Sequence, residues 1–130
     1  MRPWHEARAR FPHKSFALIC FHPATVPPQY KSCLLYTSLR LDVSFLGTSG
    51  VQGRGGICST GFHDIPVKQE FIHRSRRTVV LADSSKFASA SLVEVADWTQ
   101  VDTLITDSGI DPEQARQLAE KVELVIADES

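Results

Sequence analysis

Residues 78–82 (TVVLA) form an unbroken apolar or β-branched run that stops against four polar residues, Asp83, Ser84, Ser85 and Lys86. Such a run predicts a strand buried on both faces of a parallel sheet. Residues 41–47 (LDVSFLG), 103–106 (TLIT) and 124–127 (LVIA) predict further strands, and 91–96 (SLVEVA) alternates like a strand with one wet face. Residues 98–101 make a short turn or helical piece. A helix is expected from Asp64, a capping residue followed by Pro66, with Val67, Phe71 and Ile72 on its apolar face and Arg74, Arg76 and Arg77 crowding its last turn. Asp111, Pro112 and Gln114 mark a second helix start, and Ala115, Leu118, Ala119 and Val122 recur at one-sided helical spacing. Strands alternating with helices predict an α/β fold on a parallel, doubly wound sheet.

The pattern fades before residue 41. Residues 16–21 are apolar enough for one strand, but His22 and Pro23 cut them too short for a secretory signal, and Pro27 and Pro28 break any element that starts beyond them. Residues 1–40 carry six Lys/Arg and one acid, whereas residues 41–130 carry eight and fourteen. The basic residues of the first part are scattered and form no stripe that would suit nucleic acid. The segment KSCLLYTSLR, residues 31–40, resembles translated adapter sequence. We therefore expect residues 1–40 to be an unassigned, chimeric or disordered segment, with residues 1–38 poorly packed, and the native domain to occupy residues 41–130.

The whole chain has 130 residues, 42% of them hydrophobic and 22% charged, which suits one ordinary domain. No stretch approaches the roughly 20 apolar residues of a membrane span. Cys20, Cys33 and Cys58 are odd in number, far apart and without a CxxC pair, so neither a disulfide framework nor a zinc site is expected. A reducing, cytoplasmic setting is the resulting expectation. No cofactor and no metal is expected.

Candidate chemistry gathers after the first and second of these strands. Six glycines fall within residues 47–61. They match neither a dinucleotide fingerprint nor a Walker loop. In a βα unit the loop leaving a strand and the start of the next helix share one sheet edge, where ligands collect. The glycine-rich loop, Lys68 in the first turn of its helix, and residues 83–86 with Lys86 are thereby expected at one crevice. Backbone amides, a helix N-terminus and two ammonium groups together suit a phosphate.

The segments Asp42-Val-Ser-Phe-Leu-Gly47, Gly50-Val51, Gly56, Val67-Lys68, residues 80–87 (VLADSSKF) and 101–107 (VDTLITD) resemble, in order and spacing, the C-terminal sensor domain of the DeoR family of bacterial transcriptional repressors. The resemblance runs from about Leu41 to Ser130. It implies a partial, Rossmann-like doubly wound sheet similar to the ribose-5-phosphate isomerase and CoA-transferase superfamily. It implies binding of a phosphorylated sugar or related metabolite, and full-length relatives that are homo-oligomers. It also implies DNA binding only through a winged helix-turn-helix expected to be missing from this chain, together with the first half of the sensor domain. By position, Lys68 and Lys86 are the ligand-contacting lysines, and Asp42, Gly47 and Gly50 belong to the ligand loop. Asp64 stands where many relatives have Glu, and Ala88 where they have Gly.

Two functions of different kind are weighed. The preferred one is the effector-binding part of a repressor of sugar-metabolism genes, not an enzyme. The alternative is a sugar-phosphate isomerase with Asp64 or Asp42 as base, but no second acid–base partner is evident and Asp64 is better explained as a helix cap. Ser84, Ser85, His63 and His73 offer no nucleophile elbow for a hydrolase.

Overall fold

The computed structural model describes residues 16–19, 40–51, 55–89, 91 and 93–127. Apart from 16–19 and Arg40, the segment expected to be foreign and poorly packed lies outside the described residues, as do Gly53 and the chain's last three residues.

Among the described residues five parallel strands form the main sheet. They are β1 (Phe16–Ile19), β2 (Leu41–Gly47), β4 (Ser75–Leu81), β6 (Thr103–Asp107) and β7 (Glu123–Ala127), in the spatial order β1-β2-β4-β6-β7. A second, two-stranded antiparallel sheet pairs β3 (Gly56–Ser59) with β5 (Val93–Asp97). Helix α1 (Ile65–Arg74) connects to β4 and packs on β2, β4 and β5, while α2 (Pro112–Ala119) packs on β7. Single 3-10 turns cover Ser84–Phe87 and Trp98–Gln100.

The α/β class and the parallel sheet are as the hydrophobic pattern predicts. Among the described strands the order runs in one direction, without the reversal that characterises a doubly wound sheet.

Burial follows position in the sheet. In β4 Thr78, Val79 and Val80 are buried in succession, as in a central strand covered on both faces. Leu46, Ile57, Val80 and Leu104 have no accessible surface and form the centre of the core, with Phe87 and Trp98 from the two 3-10 turns packed into it. At the far edge β7 behaves differently. Its residues are mostly exposed, with Val125 and Ile126 each about two-fifths accessible on alternate sides of the strand.

Three expectations change. Helix α1 ends at Arg74, so Arg76 and Arg77 open β4 instead of closing the helix. Arg77 there donates to Thr103 Oγ1 at 2.7 Å and pairs with Glu123 at 2.6 Å, ties across β6 and β7 that a helical last turn would not permit. The stretch expected to be a strand over 91–96 is β5, and it leaves the main sheet to pair with β3. The glycine-rich stretch is therefore not a plain connection, because β3 forms inside it. Gly56 explains why the pairing is so close: a Cβ there would lie 1.8 Å from the Ala96 carbonyl oxygen. The cap at Asp111 is as expected, its carboxylate accepting from the N–H groups of Glu113 and Gln114 at 3.1 Å.

Candidate functional site

β2 ends at Gly47 beside Leu81, its register partner at the end of β4, so the segments leaving the two strands start from one rim of the sheet. The chain turns back at Thr48. Its hydroxyl lies 3.0 Å from the carbonyl oxygens of both Gly50 and Cys58 and accepts from the Cys58 N–H at 3.2 Å. Ser49 N–H donates to the Cys58 carbonyl at 3.0 Å, and Cys58 N–H to that of Gly50 at 3.2 Å. A single threonine thus clasps the first turn of the glycine-rich stretch onto β3.

A small cavity of about 100 Å³ opens beneath this turn, lined by Gly47, Thr48, Ser49, Ser59, Thr60, Gly61, Asp64 and Lys68. Lys68 is its charged floor. The residue is only 4% exposed, and its Nζ donates to the Gly47 carbonyl at 3.1 Å and pairs with Asp64 Oδ2 at 3.3 Å. Helical geometry explains the pair, since residues four apart share a face. A buried ammonium without such partners would be prohibitively costly. Ser59, itself 1% exposed, donates to the same carboxylate at 2.9 Å.

Asp64 therefore does not do what its place in the sequence suggests. It occupies the position before α1, but its side chain makes no capping hydrogen bond. Its carboxylate faces Ser59 and Lys68 instead. Asp64 and Ser59, with Thr48, Ser49 and Thr60, are cavity residues that sequence reasoning misses as part of the ligand site. Lys68 four residues after Asp64 is the available signal for the first, and nothing in the sequence marks the second.

The other expected site residues fall in several places. Gly47 lines the cavity and supplies the carbonyl that holds Lys68, with open space where its Cβ would be. Gly50 is not among the lining residues. Its missing side chain has a packing reason, because a Cβ would come 2.3 Å from the Ser89 carbonyl oxygen. Lys86 sits in the 3-10 turn after β4 and also lines no part of the cavity. Its carbonyl accepts from Val51 N–H at 3.1 Å, which ties this turn to the glycine-rich stretch, and its amine makes no ion pair with another described residue. Asp42 stands apart. It is at the amino end of β2, near Arg76 at 3.9 Å, in a different depression lined by Arg40, His73 and Arg74 among others. Five residue steps along the strand separate it from Gly47, roughly 16 Å. The structure thus unites Gly47 with Lys68, brings Lys86 and Gly50 to the same rim by backbone contacts, and leaves Asp42 at the opposite edge.

Beside Lys86 the rim is acidic and firmly hydrogen-bonded. Asp83 caps the 3-10 turn, and the Ser85 hydroxyl and N–H, helped by the charge of Lys86, hold its carboxyl below the ordinary range. Asp107, at the end of β6, accepts from Ser84 N–H and from Gly109 N–H, both at 2.8 Å. The Ser84 N–H and hydroxyl, then Gly109, hold its carboxyl low as well. Among the described residues no group of His, Cys, Asp and Glu is placed to hold a metal ion, and no helix is long and apolar enough to cross a membrane.

A parallel α/β sheet with a polar cavity at the carboxyl ends of its strands is the form of a small-molecule-binding domain. Residues 24–108 match the family model of the DeoR C-terminal sensor domain, more than half of the chain, and the chain belongs to that family. The resemblance carried by residues 80–87 and 101–107 is borne out. The match also begins earlier than Leu41 and stops before α2. Among curated proteins, the glycerol-3-phosphate regulon repressor of Haemophilus influenzae is 33% identical over 70 residues, 54% of this chain and 28% of that protein. The repressor of the same name from Escherichia coli is 31% identical over 72 residues, 55% of this chain and 29% of that protein. The L-fucose operon activator of Haemophilus influenzae is 26% identical over 91 residues, 70% of this chain and 36% of that protein. The chain thus spans about a third or less of the length of these relatives.

Proposed function

We propose that this chain is the effector-binding part of a DeoR-family transcriptional regulator of sugar metabolism, and that its ligand is a phosphorylated sugar or related metabolite. The observation that carries the reading is the sensor-domain match over residues 24–108, supported by a polar cavity at the strand ends whose buried lysine, Lys68, is already ion-paired with Asp64. The relatives named for a glycerol-3-phosphate regulon and a fucose operon support the substrate class. DNA is contacted through a part of the regulator outside the stretch matched here, and the working form is a homo-oligomer in the cytoplasm. In this reading the chain is not an enzyme. Its sheet is part of a doubly wound, Rossmann-like one of the ribose-5-phosphate isomerase and CoA-transferase superfamily. The domain proper is placed from about residue 41 onward, although β1 pairs with its edge strand and the family match reaches back to residue 24. Gly47 and Lys68 form the ligand pocket, Lys86 supplies a second cation at its rim, Gly50 shapes the loop, and Asp42 supports the strand from the far end.

Differential scanning fluorimetry with a panel of phosphate monoesters tests this. At least one ester should raise the melting temperature of the full chain, and Lys86→Ala should remove the shift by deleting a charge-assisted contact worth roughly 1.5–3 kcal/mol. An unchanged shift in that variant refutes the role given to Lys86. Aldose–ketose turnover lost on Asp64→Asn would instead favour an isomerase.

A further inference from the structure

The charge inside the cavity is already balanced. Lys68 is paired with Asp64, and the Gly47 carbonyl takes a second of its three N–H donors. Asp64 keeps accepting capacity after binding Ser59 and Lys68, since a carboxylate offers about four lone-pair sites. What the cavity presents is one remaining ammonium N–H, an acceptor carboxylate and the hydroxyls of Ser49 and Thr60. A sugar hydroxyl both donates and accepts, and fits that set. A phosphate suits it less, because it adds negative charge beside the Asp64 carboxylate, whose balancing cation, Lys68, is already committed to it. Size points the same way. About 100 Å³ is well below the roughly 300–1,000 Å³ of pockets that enclose whole ligands.

We propose that this cavity takes an uncharged, hydroxyl-bearing end of the metabolite, and that the anionic end remains outside it. Asp64 is the group that contacts the ligand hydroxyl. Lys68 is a positioning residue that fixes Asp64 and the Gly47 carbonyl. Lys86 lines no wall of the cavity and makes no ion pair among the described residues; with Asp83 and Asp107 on the same rim, it is the cation available to the anion. The inference rests on the sensor reading above, and refines it by naming which end of the ligand the buried site holds.

Isothermal titration of the full chain with glycerol 3-phosphate, glucose 6-phosphate, ethyl phosphate and inorganic phosphate tests it. One of the hydroxylated esters should bind at least about ten-fold more tightly than ethyl phosphate, the scale of a lost hydrogen bond to a charged group. Asp64→Asn should erase that preference, and Lys68→Met should do the same by releasing Asp64. If either variant fails to fold, Thr60→Val, on the exposed lip, should reduce the preference in the same sense. Tighter binding of inorganic phosphate and ethyl phosphate by Asp64→Asn would mean that Lys68 is an anion site, and would overturn this inference alone. Binding by none of the four probes would overturn it together with the sensor reading.

Discussion

Lys68 and Asp64 meet across one turn of α1, Nζ to Oδ2 at 3.3 Å, with the lysine side chain 5% and the aspartate 21% accessible. Removing one member leaves the other's charge in a poorly hydrated place. Lys68→Met should therefore cost about 3 kcal/mol in urea unfolding, the lower end of the range for broken buried pairs. Arg116→Ala, which breaks the exposed pair with Glu113, should cost no more than about 1 kcal/mol. Equal effects of the two substitutions would show that the cavity pair is no stronger than a surface one.

Two glycines should resist alanine for a steric reason. At Gly56 the added carbon would lie 1.8 Å from the Ala96 carbonyl oxygen, and at Gly50 2.3 Å from that of Ser89. Both obstacles are backbone, so the segments packed there must part. Each substitution should destabilise by about 1–3 kcal/mol or more, as overpacking does. Gly47→Ala meets nothing within 4 Å and should stay within about 0.5 kcal/mol of the parent. Thermal unfolding of the three variants side by side decides the point.

Acid should loosen the junction between β4 and β6. Asp107 is held below its ordinary value of 3.8 by the Ser84 N–H and hydroxyl and by Gly109. A carboxyl lowered in the folded state stabilises fully above its unfolded value, and that contribution fades as pH falls through the folded one. Unfolding measured from pH 6 down to pH 2 should show a loss of stability that is shallower in Asp107→Asn. Parallel curves for parent and variant would place the acid sensitivity elsewhere.

The two aspartates before the helices should respond differently to alanine. Asp111 accepts from two N–H groups of α2, and Asp111→Ala should cost about 1 kcal/mol, the usual value for a lost cap. Asp64 makes no cap, so the effect of Asp64→Ala should depend on Lys68. In a double-mutant cycle, Asp64→Ala and Lys68→Met should be strongly non-additive. Additivity would dissolve the pair as an energetic unit.

Local rules serve the parallel strands well. The unbroken run at residues 78–82 marks β4, because a central strand leaves a contiguous apolar signature, and the motif LDVSFLG marks β2, whose end at Gly47 lines the cavity. β3 is hidden for the opposite reason. GICS is short and glycine-led, and its pairing depends on Thr48, Ala96 and Asp97, which no local pattern connects to it. Asp64 misleads because an aspartate before a helix satisfies the capping rule whether or not its side chain turns to the backbone. The competing partner, Ser59, is placed by β3, which is itself invisible to local rules. Asp42 shows the limit of motif proximity: it is close in sequence to Gly47 and at the other end of the same strand.

The burial of Lys68 also makes its amine a chemical clock. Acylating reagents reach a shielded amine only when its surroundings open, so its labelling rate reports how often the surroundings of Lys68 open. The exposed Lys121 provides an internal standard for the reagent. A metabolite that seats over the cavity would slow that clock, which gives the domain a readout of occupancy independent of DNA.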